Sequence, residues 1–133
     1  MSDKKKIMVV DDDSDIIDSM SIILESSGYK VISGTSVEEC QEILLHEKPD
    51  LIILDIMMET MVDGFNIAQD LKASPEYSDI PIIMVSLIAQ NTGFSFDKEL
   101  LQADEFLEKP FEPGFLLACI EKHLKKKPTN PEK

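Results

Sequence analysis

Residues 7–13, IMVVDDD, join four consecutive apolar side chains directly to three aspartates. An unbroken apolar run of this length is typical of a strand that is buried on both faces of a parallel sheet. The same arrangement recurs at residues 51–55, LIILD, and a third run at residues 82–86, IIMVS, ends in a hydroxyl. Because parallel strands need crossover connections, these runs predict an α/β fold with polar side chains at the strand ends.

The rest of the chain continues this alternation, with five short apolar runs separated by segments of helical period. Strands are predicted at residues 7–10, 29–33, 51–54, 82–85 and 106–107. Helices are predicted from the apolar spacing over 16–24, from the capping box of Ser36 and Glu39, around 65–71, within 94–103, and from Pro113 through Phe115 to Leu124. Five β-α units of this size predict a doubly wound parallel sheet between two layers of helices, a three-layer αβα arrangement.

Length and composition agree with a single domain. The chain has 133 residues, of which 43% are hydrophobic and 29% charged, the balance of a globular protein. We expect a short tail at residues 1–5, one domain over 6–127 and a disordered tail over 128–133. Cys40 and Cys119 lie in apolar helical stretches, so we expect buried free thiols and not a disulfide or a metal knuckle.

The charge balance excludes several classes of function. The net charge is −13, and all 13 basic residues are lysines. An acidic chain without arginine repels phosphate backbones and lacks the side chain that reads bases in a bidentate way, so direct nucleic-acid binding is not expected. The longest apolar stretch, 80–89, contains Pro81 and is far shorter than the ~20 residues of a membrane span. We therefore expect a cytoplasmic protein without a membrane partner.

Candidate site residues follow the predicted strands. Asp11 and Asp12 follow the first strand, Asp55 the third, Ser86 the fourth and Lys109 the fifth. The carboxyl ends of parallel strands meet at one edge of the sheet, where ligands bind. Neighbouring carboxylates disfavour each other's ionised form, and Mg²⁺ removes that conflict while leaving coordination positions for a phosphoryl oxygen. Because a carboxylate can attack phosphorus and form an acyl phosphate, the pattern predicts phosphoryl chemistry.

The chain resembles the receiver domains of two-component response regulators over residues 6–127. The strings that carry the resemblance are IMVVDDDSDI (7–16), PDLIILDIMM (49–58), DGF (63–65), PIIMVS (81–86) and FLEKPF (106–111). The resemblance implies a flavodoxin-like sheet with the strand order 2-1-3-4-5, as in single-domain chemotaxis regulators.

The resemblance also implies roles for individual residues. Asp55 would be the phosphoacceptor, and Asp11 with Asp12 the acidic pair that binds Mg²⁺ or another divalent cation such as Mn²⁺. The backbone carbonyl of Met57 would be a further metal ligand, and Lys109 would form a salt bridge to the phosphoryl group. Ser86 and Phe106 would be the two switch residues.

The resemblance implies partners as well. The donor would be a histidine kinase or a histidine phosphotransfer protein, and phosphorylation would change the binding of an output protein or of an output domain beyond this chain. Self-catalysed phosphotransfer and autodephosphorylation are the only reactions expected, so the chain is not predicted to be an enzyme. Departures from the family pattern include Glu59 in place of a proline and bulky Leu87 after the switch hydroxyl, and they concern the loops 59–63 and 87–97.

Two alternative classes share parts of this pattern. In an aspartyl-nucleophile phosphatase, Asp11 and Asp13 would form the D-x-D motif, although Asp15 stands where threonine or valine is expected. A flavin carrier would need amides and hydroxyls around a phosphate, which three aspartates oppose. Hydrolysis of a generic phosphate ester would favour the phosphatase, and a yellow preparation the flavin carrier. In the receiver interpretation, Asp13 or Ser14 is instead the N-cap of the first helix.

Overall fold

A computed structural model describes residues 4–55, 69–86, 104–108 and 112–125. Within these ranges five strands form one parallel sheet in the order β2-β1-β3-β4-β5. The strands are β1 (Lys6–Val10), β2 (Lys30–Gly34), β3 (Leu51–Asp55), β4 (Ile82–Ser86) and β5 (Glu105–Glu108). The fold class and the strand order are confirmed, and each predicted strand lies within one residue of its observed bounds.

Three helices have bounds within the described ranges. They are α1 (Ser14–Ser26), α2 (Val37–His46) and α3 (Pro113–Lys125), and residues 69–73 are helical as well. Asp13 is the N-cap of α1, because its side chain accepts a hydrogen bond from the N–H of Asp15 at 3.0 Å. Gly28 follows the end of α1 with a φ of 96°, the left-handed conformation that glycine adopts at low cost. The helix predicted within 94–103 lies outside the described residues.

The start of α2 differs in one detail from the predicted capping box. The N–H of Glu39 donates to Oγ of Ser36 at 3.1 Å, as predicted. The Glu39 carboxylate, however, accepts from the N–H of Thr35 at 2.6 Å and from its hydroxyl at 3.0 Å, and does not return to Ser36. These two hydrogen bonds, the backbone one foremost, lower the pKa of Glu39. The box therefore reaches one residue further back and ties α2 to the end of β2.

The sheet is buried on both faces, because alternate strand residues pack against different helices. One face packs on α2 and on the segment after residue 69, through Met8, Val10, Ile52, Leu54, Ile82, Met84, Cys40 and Leu71. The other face packs on α1 and α3, through Ile7, Val9, Ile53, Ile83, Val85, Leu107, Met20, Leu24, Leu116 and Ile120. Cys40 and Cys119 are buried free thiols, as expected, and burial raises the pKa of Cys40 to about 12.

The packing of helix α3 shows which of its apolar residues face the core. Phe115 is 57% exposed. The period of 3.6 residues instead brings Leu116, Cys119 and Ile120 to the core, followed by His123, which is buried against Glu105 of β5 with Nε2 3.1 Å from Oε1. None of the helical segments in the described ranges is long and apolar enough to cross a membrane.

Candidate functional site

Three carboxylates meet at the carboxyl edge of the sheet. Strands β1 and β3 are neighbours, with Val10 paired to Leu54, so Asp11, which follows β1, lies beside Asp55, the last residue of β3. Asp11, Asp12 and Asp55 each offer a carboxylate oxygen, and these oxygens lie within 4.8 Å of one another. The structure therefore brings together the three acids that the sequence places at the ends of the first and third strands.

The three carboxylates differ in burial. Asp11 is 1% exposed and Asp55 is 5% exposed, whereas Asp12 is open to solvent. Carboxylates removed from water need hydrogen bonds or a cation to offset the lost solvation. A set of oxygen donors that is buried on one side and hydrated on the other suits a divalent cation that keeps several of its waters, as Mg²⁺ does. The residues present fit such an ion.

Backbone contacts from two other elements fix Asp11. Its N–H donates to the carbonyl oxygen of Gly34, at the end of β2, over 3.2 Å. Its carboxylate oxygen Oδ1 accepts from the N–H of Asp13 at 2.9 Å, at the start of α1. A Cβ added to Gly34 would come within 3.3 Å of the Glu39 Cβ, a tight contact that would require a small shift between β2 and α2. The first acidic side chain is thus oriented before any ligand binds.

Asp13 does not join the cluster found among the described residues, which comprises Asp11, Asp12 and Asp55. Its carboxylate caps α1. The phosphatase alternative requires Asp11 and Asp13 to act on one substrate, and the cap assigns Asp13 to the helix instead. The geometry therefore favours the pairing of Asp11 with Asp12.

The other predicted site residues are placed only in part. The backbone of Ser86 ends β4 at the same edge of the sheet, one position beyond the pair formed by Asp55 and Val85. Phe106 lies in β5, paired with Met84. The remaining candidates lie outside the described residues: Met57, Glu59, Leu87 and Lys109, with the loops 59–63 and 87–97.

Two polar clusters at the opposite edge of the sheet were not predicted from the sequence. One joins Lys72 to Asp104, and the other joins Glu105 to Lys122 and His123. Their partners come from elements far apart in the chain, so neither spacing nor local pattern indicates them. His123 lies late in α3, and its burial follows from the packing of that helix.

Fold and site together define a flavodoxin-like α/β domain with a cluster of three acids at the ends of its central strands. The sequence profile described as the response regulator receiver domain matches residues 7–121. The chain belongs to the response regulator receiver domain family, a family of signalling domains.

Individual relatives agree with this assignment. The chain is 38% identical over 128 residues to the probable transcriptional regulator ycf27 of Cyanophora paradoxa, covering 96% of this chain and 51% of that protein. It is 34% identical over 129 residues to the DNA-binding dual master transcriptional regulator RpaA of Synechocystis sp., covering 96% and 52%. A CheY-like receiver domain protein from Methanospirillum hungatei has a TM-score of 0.79 at 30% identity, covering 92% and 94%. The chain spans about half the length of the curated relatives it matches.

Proposed function

We propose that this receiver domain accepts a phosphoryl group on Asp55, with a divalent cation held by Asp11, Asp12 and Asp55, and that phosphorylation changes the proteins it binds. The observation that carries the proposal is the set of three carboxylates within 4.8 Å, two of them buried. In the absence of a cation, such proximity is electrostatically unfavourable, and binding sites commonly show this kind of unfavourable arrangement.

The surroundings of the three acids support Asp55 as the nucleophile. The Asp11 carboxylate accepts a hydrogen bond from the N–H of Asp13, which orients it as a ligand for the cation. Asp12 is exposed and hydrated. Asp55 is buried at the end of the central strand β3, where its carboxylate would attack phosphorus while the bond from phosphorus to the donor breaks and its electron pair leaves with the donor. A bound Mg²⁺ supplies neutralisation of the charge on the phosphoryl oxygens.

The roles predicted for other residues belong to the same proposal. Lys109 would add a second positive charge to the phosphoryl group, and the backbone carbonyl of Met57 would complete the metal ligands. Ser86 and Phe106 would respond to the phosphorylated state. Autodephosphorylation would be the only hydrolysis that the domain carries out.

Partners follow from the chemistry of the donor. A phosphohistidine on a histidine kinase or a histidine phosphotransfer protein is the expected source of the phosphoryl group. The output would be a separate protein or a further domain, which agrees with curated relatives about twice as long that are named as transcriptional regulators. With a net charge of −13, the domain itself is not expected to bind nucleic acid, and we place its action in the cytoplasm.

The test is the intact mass of the protein after incubation with acetyl phosphate and Mg²⁺. The wild-type chain is expected to gain one phosphoryl group, and Asp55→Asn and a chelator are each expected to prevent the gain. Asp13→Asn is the matched control, because asparagine also caps a helix and Asp13 lies beside the cluster without joining it. A phosphoryl adduct that persists in Asp55→Asn would show that another residue is the acceptor.

A further inference from the structure

Strand β5 is the edge strand next to the site, and one neighbour holds it in the sheet. It has four residues, and its pairing with β4 runs from Ile83 opposite Glu105 to Ser86 opposite Glu108. At the same edge, Asp55 of β3 pairs with Val85 of β4. The carboxyl end of β5 lies about two strand spacings, ~10 Å, from Asp55. The register of β5 therefore decides which residue occupies that position.

A single residue, Asp104, fixes this register at the start of β5. Its N–H donates to the carbonyl oxygen of Ile82 at 2.8 Å, as in a regular strand pair. Its carboxylate Oδ2 accepts from the N–H of the same Ile82, also at 2.8 Å. The side chain thus replaces a backbone carbonyl, and both polar groups of Ile82 are bound to one residue. These paired bonds form only in one alignment of β5 with β4.

Lys72 holds that carboxylate in place. Its ammonium Nζ lies 3.0 Å from Oδ2 of Asp104 and donates to the carbonyl oxygens of Ile80 at 3.1 Å and Ser78 at 3.4 Å. The Lys72 side chain is only 19% exposed. A shielded ammonium with three oxygen acceptors is oriented more strongly than an exposed lysine with one, because water competes less for it. It joins the segment before β4 to the start of β5.

Glu105, which follows Asp104 and begins β5, is bound on the other face of the sheet. Glu105 Oε1 lies 3.1 Å from Nε2 of His123 and 3.2 Å from Nζ of Lys122, both on α3. Consecutive strand residues point to opposite faces, so a slip of one position would separate both Asp104 and Glu105 from their partners. The Lys122 side chain is 60% exposed. Its bond to Glu105 joins α3 to β5 and does not involve the backbone of β4.

We propose that Lys72 and Asp104 are positioning residues for phosphoryl transfer to Asp55, acting by holding β5 in register at the end of the sheet opposite to the site. The proposal rests on the proposed function. A register shift of one residue moves the carboxyl end of β5 by ~3.3 Å and turns buried Leu107 away from its core face. Lys109, which follows β5 in the sequence and is predicted to contact the phosphoryl group, would move with it.

The experiment compares Lys72→Met with Lys122→Met, two losses of one ammonium from ion pairs at the start of β5. The rate of phosphorylation by acetyl phosphate is measured at saturating Mg²⁺, together with the Mg²⁺ concentration that gives half the maximal rate. We expect Lys72→Met to lower the maximal rate by about tenfold, because displacement of a reacting group by an ångström or more is costly. Half-saturation by Mg²⁺ should be unchanged, since its proposed carboxylate ligands lie at the ends of β1 and β3. Lys72→Arg should recover most of the rate.

Lys122→Met should stay within about twofold of wild type, since an exposed pair contributes little. Equal rates for Lys72→Met and wild type would overturn the proposal, and so would a parallel loss of Mg²⁺ affinity, which would show a general effect on folding. If Lys72→Met does not fold, Asp104→Asn gives the same comparison, because its amide oxygen can still accept from Ile82. A wild-type chain that is not phosphorylated would overturn the proposed function as well, whereas phosphorylated wild type with an unaffected Lys72→Met overturns only the role of the pair.

Discussion

Asp11 and Asp12 are adjacent in the chain but have opposite environments. Asp11 is buried and bound on both its N–H and its carboxylate, whereas Asp12 faces solvent. A ligand held by the backbone loses little entropy when a cation binds, and an exposed ligand can follow the ion as it enters. The two acids therefore contribute to the proposed cation site in different ways.

Replacement of Asp12 tests its part in cation binding. Asp12→Ala is expected to weaken Mg²⁺ binding by at least about tenfold. Removal of a residue that only supports a metal ligand already weakens binding by about this much, and Asp12 is itself a proposed ligand. The measurement is the rise of melting temperature with Mg²⁺ concentration, because an ion bound only by the folded state stabilises it by an amount that grows with the logarithm of concentration above the dissociation constant. Asp18→Ala, which removes another exposed acid from α1, is the control for net charge. Equal Mg²⁺ responses of the two variants would contradict the assignment.

At the level of elements, the sequence predicts more about strands than about helix faces. The apolar runs mark β1, β3 and β4 because acids and a proline border them. β5 was predicted at half its observed length, since Glu105 and Glu108 at its ends carry charges that an apolar pattern does not count. In α3 the neighbouring apolar residues Phe115 and Leu116 both suggest the core, and only the packing of the helix decides between them.

The capping of α2 leads to a prediction about pH. The pKa of Glu39 is lowered by the Thr35 hydrogen bonds, so its ionised form stabilises the folded state at pH values above its ordinary pKa of 4.5. That contribution is lost as the pH falls through the lowered pKa in the folded state. Glu39→Gln should therefore reduce the free energy of unfolding at pH 7 and have a smaller effect at pH 3.

The measurement is urea unfolding of wild type and variant at both pH values. Glu38→Gln, in the same first turn of α2, is the control for the interaction of a negative charge with the helix dipole. If Glu39→Gln and Glu38→Gln have the same effect at pH 7, the hydrogen bonds to Thr35 do not contribute to stability.

For the whole molecule, local sequence patterns predict some features, whereas others depend on packing between distant parts of the chain. The rule that parallel strands end at one edge is enough to bring Asp11, Asp12 and Asp55 to the same side of the sheet. Their contact also needs β1 and β3 to be neighbours, and that order came from the family resemblance and not from the apolar pattern. Lys72 and Asp104 lie 32 positions apart in the chain, and no local sequence pattern predicts that they pair.

The excess of acidic residues predicts how the stability of the domain depends on salt. A net charge of −13 on one domain makes the average interaction between surface charges repulsive, and salt screens that repulsion. We expect the free energy of unfolding to rise by about 1 kcal/mol between low and 0.5 M NaCl, the size of a few exposed charge interactions. MgCl₂ at matched ionic strength should stabilise the domain further. A fall in stability with NaCl would show that the attractive pairs outweigh the repulsion.

The order of the strands also has a consequence for recombination between related chains. The connection at residues 47–50 separates an N-terminal half, which carries β1, β2, α1 and α2, from a C-terminal half that begins with β3. β1 and β3 nevertheless pair along most of their length, from Ile7 opposite Leu51 to Val10 opposite Leu54, so the boundary between the two halves passes through the acidic cluster. Neither fragment alone possesses all three carboxylates. A chimaera recombined at this point would take Asp11 and Asp12 from one parent and Asp55 from the other. Carboxylate oxygens from the two parents would then have to fit together within 4.8 Å.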